Sequence, residues 1–209
     1  MNINGVNGKN NMSDLGVLLP ISSLPNGKFF PHGPEFVDWL VKGGYRYWQV
    51  LPLNPRDSFG SPYNSPNSLA IDPGYGTERE WLKLKKYANS KGVLIIGDLP
   101  YFITKTERDD LFVEGFLAGA PPDRYTQKGQ YWGLPIFDWE HKYEENLAYL
   151  LKRLHRAFSL FDVVRLDHFC GLAAVWAIPA KYKSSKKGDW LKVPGERILT
   201  KIRQKFPDK

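Results

Sequence analysis

The sequence predicts an α/β fold built from parallel (β/α) units, and three observations carry that reading. Apolar runs of strand length alternate with longer amphipathic stretches, which implies a parallel sheet with right-handed crossovers. The short runs are apolar on consecutive residues, the mark of strands covered on both faces. Two of them end in an aspartate, Asp98 and Asp167, where strands hand over to loops and α/β proteins place their chemistry.

Residues 1 to 13 are Asn/Gly-rich and polar, without the apolar core of a signal peptide, and are expected to be disordered. Gly16-Val17-Leu18-Leu19-Pro20 is the first strand. A helix over Pro34–Gly44 follows, with Phe36, Val37, Leu40 and Val41 at helical spacing, proline near its start and a glycine pair at its end. Tyr47 to Leu53 is the second strand. A Pro/Ser/Asn/Gly-rich loop, 54 to 76, carries Ser61-Pro62-Tyr63-Asn64-Ser65. Thr77, with Glu80 three residues on, forms a capping box, and the helix it opens turns Trp81, Leu84, Tyr87 and Ala88 to one face before ending near Gly92. Val93 to Pro100 is the third strand, with Asp98 on the face of Leu94 and Ile96.

The stretch after Pro100 reads as long and irregular, and a loop of that length inside a compact domain is usually functional. Tyr143 to Phe161 is a helix with Leu147, Leu150, Leu151, Leu154 and Phe158 inward. Val163 to Asp167 is the fourth strand, followed by a loop to about Trp190 and a last helix over Pro194–Phe206. Four units of this kind make either a small open doubly wound sheet or the first half of an eight-stranded barrel. Phosphate-cradling glycine patterns are absent after every strand, which argues against a dinucleotide fold.

In the fourth strand Val163, Arg165 and Asp167 share one face. The arginine is close enough to its aspartate to favour the ionised carboxylate, the form a carboxylate nucleophile requires. A structural ion pair closing the strand end is the alternative. Seven Trp, eleven Tyr and twelve Phe make 14% of the chain and suit stacking on flat apolar faces such as sugars offer, although large cores use rings too. The net charge of +7 is spread out, with Lys181, Lys183, Lys186 and Lys187 as the one local cluster. No nucleic-acid motif accompanies it, so a nucleic-acid partner is not expected. Cys170 is the sole cysteine, consistent with a reducing compartment and a cytoplasmic location. No apolar run approaches the roughly 20 residues that cross a bilayer. His32, His141 and His155 share no metal-ligand spacing, so no metal is expected.

Several motifs carry a family resemblance. Arg46 to Leu53 followed by Ser61-Pro62-Tyr63, Ala120-Pro121-Pro122-Asp123 with Gly129 to Pro135, Val164 to Phe169, and Trp190 to Glu196 together resemble the 4-α-glucanotransferases (amylomaltase, or disproportionating enzyme). That family belongs to the α-amylase clan of TIM barrels, so the resemblance favours the half-barrel, with 14–209 as a partial (β/α) barrel domain carrying strands one to four. It implies Asp167 as nucleophile, Arg165 as the residue that orients it, and Asp98 as a carboxylate lining the donor site beside His168. Tyr63 would bound the sugar before the cleaved bond. Trp132, with Asp123 and Gln130, would belong to a loop over the cleft, loop architecture being the alternative for these three.

The resemblance further implies retaining transfer of α-1,4-glucan segments between maltodextrins, with no cofactor. The family's acid/base glutamate would lie on the strand after the helix ending near Phe206, beyond Lys209. None of Glu107, Glu114, Glu140, Glu144 or Glu145 sits at a strand end. The chain is therefore expected to be inactive alone, and either to pair its open sheet edges with another copy or a second polypeptide or to be poorly stable by itself. A glucan-binding remnant without turnover and a structural fragment are the alternatives.

Overall fold

The computed structural model of the chain describes residues 13–209. The disorder expected for residues 1 to 13 lies outside them, except that Ser13 opens the first strand. In chain order the elements are β1 (Ser13–Leu18), α1 (His32–Lys42), β2 (Tyr45–Gln49), α2 (Glu78–Ser90), β3 (Leu94–Leu99), β4 (Phe112–Ala120), β5 (Gln130–Phe137), α3 (Tyr143–Leu160), β6 (Val163–Leu166), β7 (Ala174–Pro179), β8 (Asp189–Lys192) and α4 (Gly195–Lys205).

The predicted parallel sheet is present, with strands in the order β1-β2-β3-β6 and every neighbouring pair parallel. Its helix-side face buries Trp48, Val50 and Ile95 against Val37 and Leu40 of α1, Trp81 and Leu84 of α2, and Leu154 and Leu160 of α3. The buried indoles keep their hydrogen bonds: Trp48 donates to the Leu19 carbonyl at 2.8 Å and Trp81 to the Leu160 carbonyl at 3.0 Å. Gly97 lets the chain after α3 lie against β3, because a Cβ there would stand 2.1 Å from the Phe161 ring. The capping box opens α2 as expected: the Glu80 amide donates to Thr77 Oγ1 at 3.2 Å and the Thr77 amide to Glu80 Oε2 at 2.7 Å.

The irregular stretch and the later loop need correction. They hold β4, β5, β7 and β8, a second sheet that is antiparallel throughout, in the order β5-β4-β7-β8. Its apolar side, including Ala118, Ile136, Val175 and Ala177, forms a second core with Leu147 of α3 and Ile198 of α4. Leu150 and Leu151 of α3 and Ile202 of α4 pack against both cores. Within the described residues β1 and β6 are the outer strands of the parallel sheet, and they expose Leu15, Leu18 and Val163.

Candidate active site

The site begins with strand register. Pairing of β3 with β6 sets Asp98 directly beside Arg165, so both side chains leave the same face of the sheet. Arg165 Nη2 donates to Asp98 Oδ2 at 2.9 Å and to Asp167 Oδ1 at 2.7 Å, bridging the two carboxylates. Tyr63, from the loop between β2 and α2, donates its hydroxyl to the same Asp98 Oδ2 at 2.6 Å. The Asp98 side chain is 0% exposed and the Asp167 side chain 33%, so of the two carboxylates Asp167 is the solvent-accessible one.

Burial pushes the Asp98 carboxyl above its usual value, against the opposing pull of the Tyr63 and Arg165 hydrogen bonds. Burial and the Asp98 carboxylate both push the Tyr63 phenol up, so it remains a donor. For Arg165 burial works against the charge, but Asp98 and Asp167 outweigh it and hold the guanidinium more firmly cationic than usual.

After β6 the chain turns sharply. The Asp167 amide still donates to the Leu99 carbonyl at 3.0 Å, and His168 then takes the left-handed conformation, φ 47° and ψ 47°. For a residue with a Cβ this costs roughly 1–2 kcal/mol. Ring packing offsets that cost: the His168 ring lies edge-on to Trp132 at 5.1 Å between centroids and 5.5 Å from Phe102. Burial holds the imidazole below its ordinary pKa, against the Asp167 charge. A histidine whose folded-state pKa is depressed contributes stability above its unfolded value of about 6.5, and that stability is lost as the pH falls below it. Melting temperatures taken from about pH 7 down to about pH 5 should therefore fall more steeply for the native chain than for His168→Phe. Equal slopes would show that the ring is not held neutral by its surroundings.

These groups border a cleft of about 620 Å³, lined by Asp57, Phe59, Tyr63, Phe102, Trp132, Asp167 and His168 among others. That volume is within the ordinary range for small-molecule sites. The structure thus brings Tyr63, Asp98, Trp132, Arg165, Asp167 and His168 together. Gln130 stands one contact away, accepting from the Trp132 indole at 2.8 Å. Asp123 sits in the β4–β5 turn, where its Oδ1 accepts the amides of Tyr125 at 2.8 Å and Thr126 at 2.6 Å.

Other cleft residues were not singled out in the sequence. Phe102 lies just past the end of β3, where the strand-end rule applies equally well. Asp57 and Phe59 lie in the loop already marked by Ser61-Pro62-Tyr63. Asp57 accepts the amides of Ser61 and Phe59 at 2.9 Å each and the Asn64 amide group at 3.1 Å. These bonds, that from Ser61 foremost, hold its carboxyl below the usual range.

A second polar cluster fixes the wall of the cleft. Arg153 of α3 is 1% exposed and donates to the Pro100 carbonyl at 2.5 Å, the Tyr101 carbonyl at 3.3 Å and Ser68 Oγ at 2.8 Å. Burial lowers its pKa to about 10, with Glu107 and Tyr149 opposing the drop. Glu107 in turn accepts from the Ser68 amide at 2.9 Å, the Ser68 hydroxyl at 2.5 Å and the Tyr149 hydroxyl. The loop before α2 and the chain leaving β3 are therefore tied to one helix. Asn146, Tyr149 and Arg153 form a buried polar stripe on α3, at the i, i+3, i+7 spacing usually given to apolar residues.

Among the described residues no group of three or more His, Cys, Asp and Glu side chains could hold a metal ion, and no helix is long and apolar enough to cross a membrane. His32 pairs with Glu35 and His141 with Asp138.

Comparison with known proteins places this geometry. A family model described as 4-alpha-glucanotransferase matches residues 19–77 and 74–208. The 4-alpha-glucanotransferase of Aquifex aeolicus is 36% identical, over 62% of this chain and 29% of that protein. The 4-alpha-glucanotransferase of Thermus thermophilus is 37% identical, over 61% of this chain and 28% of its own length. The chain thus spans under a third of these curated relatives. Among solved structures, an amylomaltase from Streptococcus agalactiae in complex with acarbose superposes with a TM-score of 0.82 at 22% identity, covering 92% of this chain and 67% of that one. That likeness shows the fold: the parallel sheet is the strand-one-to-four part of a TIM-type barrel. By the family match over nearly all of its described length, the chain belongs to the 4-alpha-glucanotransferase family.

Proposed function

We propose that this chain is the nucleophile-bearing part of a 4-α-glucanotransferase that moves segments of α-1,4-glucan between maltodextrins with retention of configuration. The observation that carries this reading is the Arg165 bridge, which fixes the half-exposed Asp167 carboxylate in an aromatic-lined cleft at the ends of parallel strands. Asp167 attacks the anomeric carbon. The bond from that carbon to the leaving sugar's oxygen breaks, the oxygen takes a proton, and a glycosyl ester forms on Asp167. An acceptor sugar hydroxyl then attacks the ester, giving up its proton and freeing the carboxylate. Arg165 aims the nucleophile, Asp98, steadied by the Tyr63 hydroxyl, holds Arg165, and Trp132 and His168 wall the sugar's apolar face. Asp123 and Gln130 shape the loop that carries Trp132. The chemistry calls for no cofactor, and the single cysteine fits the reducing cytoplasm.

A retaining enzyme needs a protonated carboxyl about 5–5.5 Å from the nucleophile. Asp57, the other carboxylate bordering the cleft, is held ionised, and Asp98 has no exposed surface. Among the described residues no other carboxylate borders the cleft, so the proton donor comes from a segment that completes the barrel along the edges of β1 and β6. Without that segment the reaction loses general-acid assistance worth ~10²–10⁴-fold.

Maltotriose is the direct test. Products longer and shorter than maltotriose are expected when the chain is combined with a polypeptide supplying the rest of the barrel, and not from this chain by itself. Maltodextrin titration followed by Trp fluorescence guards the alternative, a glucan-binding remnant. Binding without redistribution under either condition would establish that alternative, and no binding at all would overturn both.

A further inference from the structure

The second sheet carries a hollow that the glucan reading leaves unused. It has a volume of about 480 Å³ and is lined by Lys128, Gly129 and Tyr131 from the β4–β5 side, and Lys183, Ser184, Ser185 and Lys186 from the β7–β8 connection. Tyr131 and Trp132 are successive residues of β5, so their side chains leave opposite faces of the strand. Trp132 faces the cleft, and Tyr131 faces the hollow on the other side of the same strand.

The two loops are fastened rather than merely adjacent. Ser185 is buried, and its hydroxyl donates to the Lys128 carbonyl. Its carbonyl accepts the Trp176 indole at 2.8 Å. Gly129, at φ +63°, leaves room for that join, because a Cβ there would stand 2.4 Å from Ser185 Oγ. The two loops that line the hollow are therefore joined through Ser185, with three lysines at the wall. Among the described residues the lysine ion pairs within 4.0 Å are those of Lys85 with Asp162 and Lys91 with Asp38, so no carboxylate neutralises Lys128, Lys183 or Lys186. Lys181 and Lys187 lie over the exposed Tyr182 ring, at 5.0 and 5.9 Å from its centroid, adding positive charge beside it.

Three lysines with no carboxylate within 4.0 Å, lining a hollow of ligand size together with the exposed Tyr131 ring, match a compact dianion carried on a flat-faced ring. We infer that this hollow binds a phosphate monoester borne by a sugar, with the lysines on the phosphate and Tyr131 against the sugar. The ester could be a free hexose phosphate or a phosphorylated unit within a glucan. Its place behind Trp132 makes an occupied hollow brace the strand that walls the cleft.

Titration of the full chain by isothermal calorimetry at moderate ionic strength, with glucose 6-phosphate, inorganic phosphate and glucose as separate probes, tests this. Glucose 6-phosphate is expected to bind more tightly than inorganic phosphate, and glucose not to bind the hollow. The double variant Lys183→Ala/Lys186→Ala should weaken it by about tenfold or more. Both lysines are exposed, so the variant keeps its fold, which unchanged maltodextrin binding at the cleft would verify. A phosphorylated maltodextrin competing better than glucose 6-phosphate identifies the glucan as the source, and the reverse identifies the free sugar. Equal binding of phosphate with and without the sugar, or loss of all binding to a heparin or nucleic-acid competitor that itself binds more tightly, would overturn the inference. So would a double variant that binds glucose 6-phosphate as the native chain does.

Discussion

Incubated with α-maltosyl fluoride, the native chain is expected to release fluoride and gain the mass of one maltosyl group, while Asp167→Asn does neither. Fluoride departs without being protonated, so this substrate bypasses the general acid that the described residues do not supply. What remains to be tested is the nucleophile alone. The amide of the variant is isosteric with the carboxylate but carries no charge with which to attack carbon. Removal of a nucleophile lowers turnover by about 10⁴- to 10⁶-fold. Labelled peptide should contain Asp167, not Asp57 or Asp98, because Asp98 has no exposed side-chain surface. Fluoride release that survives the substitution unchanged would remove Asp167 from the reaction and with it the proposed mechanism.

Arg153→Met is expected to lower stability by about 3–5 kcal/mol, the cost of taking one partner from a buried charged network. Methionine fills most of the volume but donates nothing. The Pro100 and Tyr101 carbonyls and the Ser68 hydroxyl each lose a donor, and Glu107 loses a nearby cation. Equilibrium urea unfolding measures the change, and the double variant Arg153→Met/Glu107→Gln should recover part of it, because the stranded carboxylate is then neutral. A midpoint within experimental error of the native chain would show that the cluster is incidental. Because the same arginine holds the chain leaving β3, maltodextrin binding should weaken in the variant under conditions where it remains folded.

The parallel half of the molecule was legible because its signals are local. Consecutive apolar residues in β3, the Thr77–Glu80 box and the stripe on α3 each specify their element without reference to the rest of the chain. The second sheet was not legible for the opposite reason. β4 contains Gly115 and Gly119, β5 contains Gly133 and Pro135, and β8 has four residues. None has the alternation or β-branched content that marks a strand. Pro135 is tolerated because β5 is an outer strand, where a missing amide costs no ladder bond. These segments become strands through pairing with partners more than sixty residues away, as in Leu117 with Ile178, and no window of sequence carries that.

The same division holds at the site. Arg165 and Asp167 are two residues apart on one strand, so their meeting could be read directly, whereas the contact of Asp98 with Arg165 depends on the register of β3 against β6. Tyr63, Phe102 and Trp132 arrive from three separate loops or strands. Arg153 gave no signal of its role because two of its three acceptors are main-chain carbonyls, which every sequence contains, and the third is Ser68, 85 residues away in sequence.

The helix α3 carries both packing interfaces, with Ile202 of α4 beside it. With Leu150 and Leu151 of α3 set into the two cores at once, the sheets are riveted to a common beam and have no independent swing. On the proposed reading, a glucan then threads between jaws of fixed gape. Adaptation to its length or bend falls to the exposed tip around Phe59, which contributes no residue to either core.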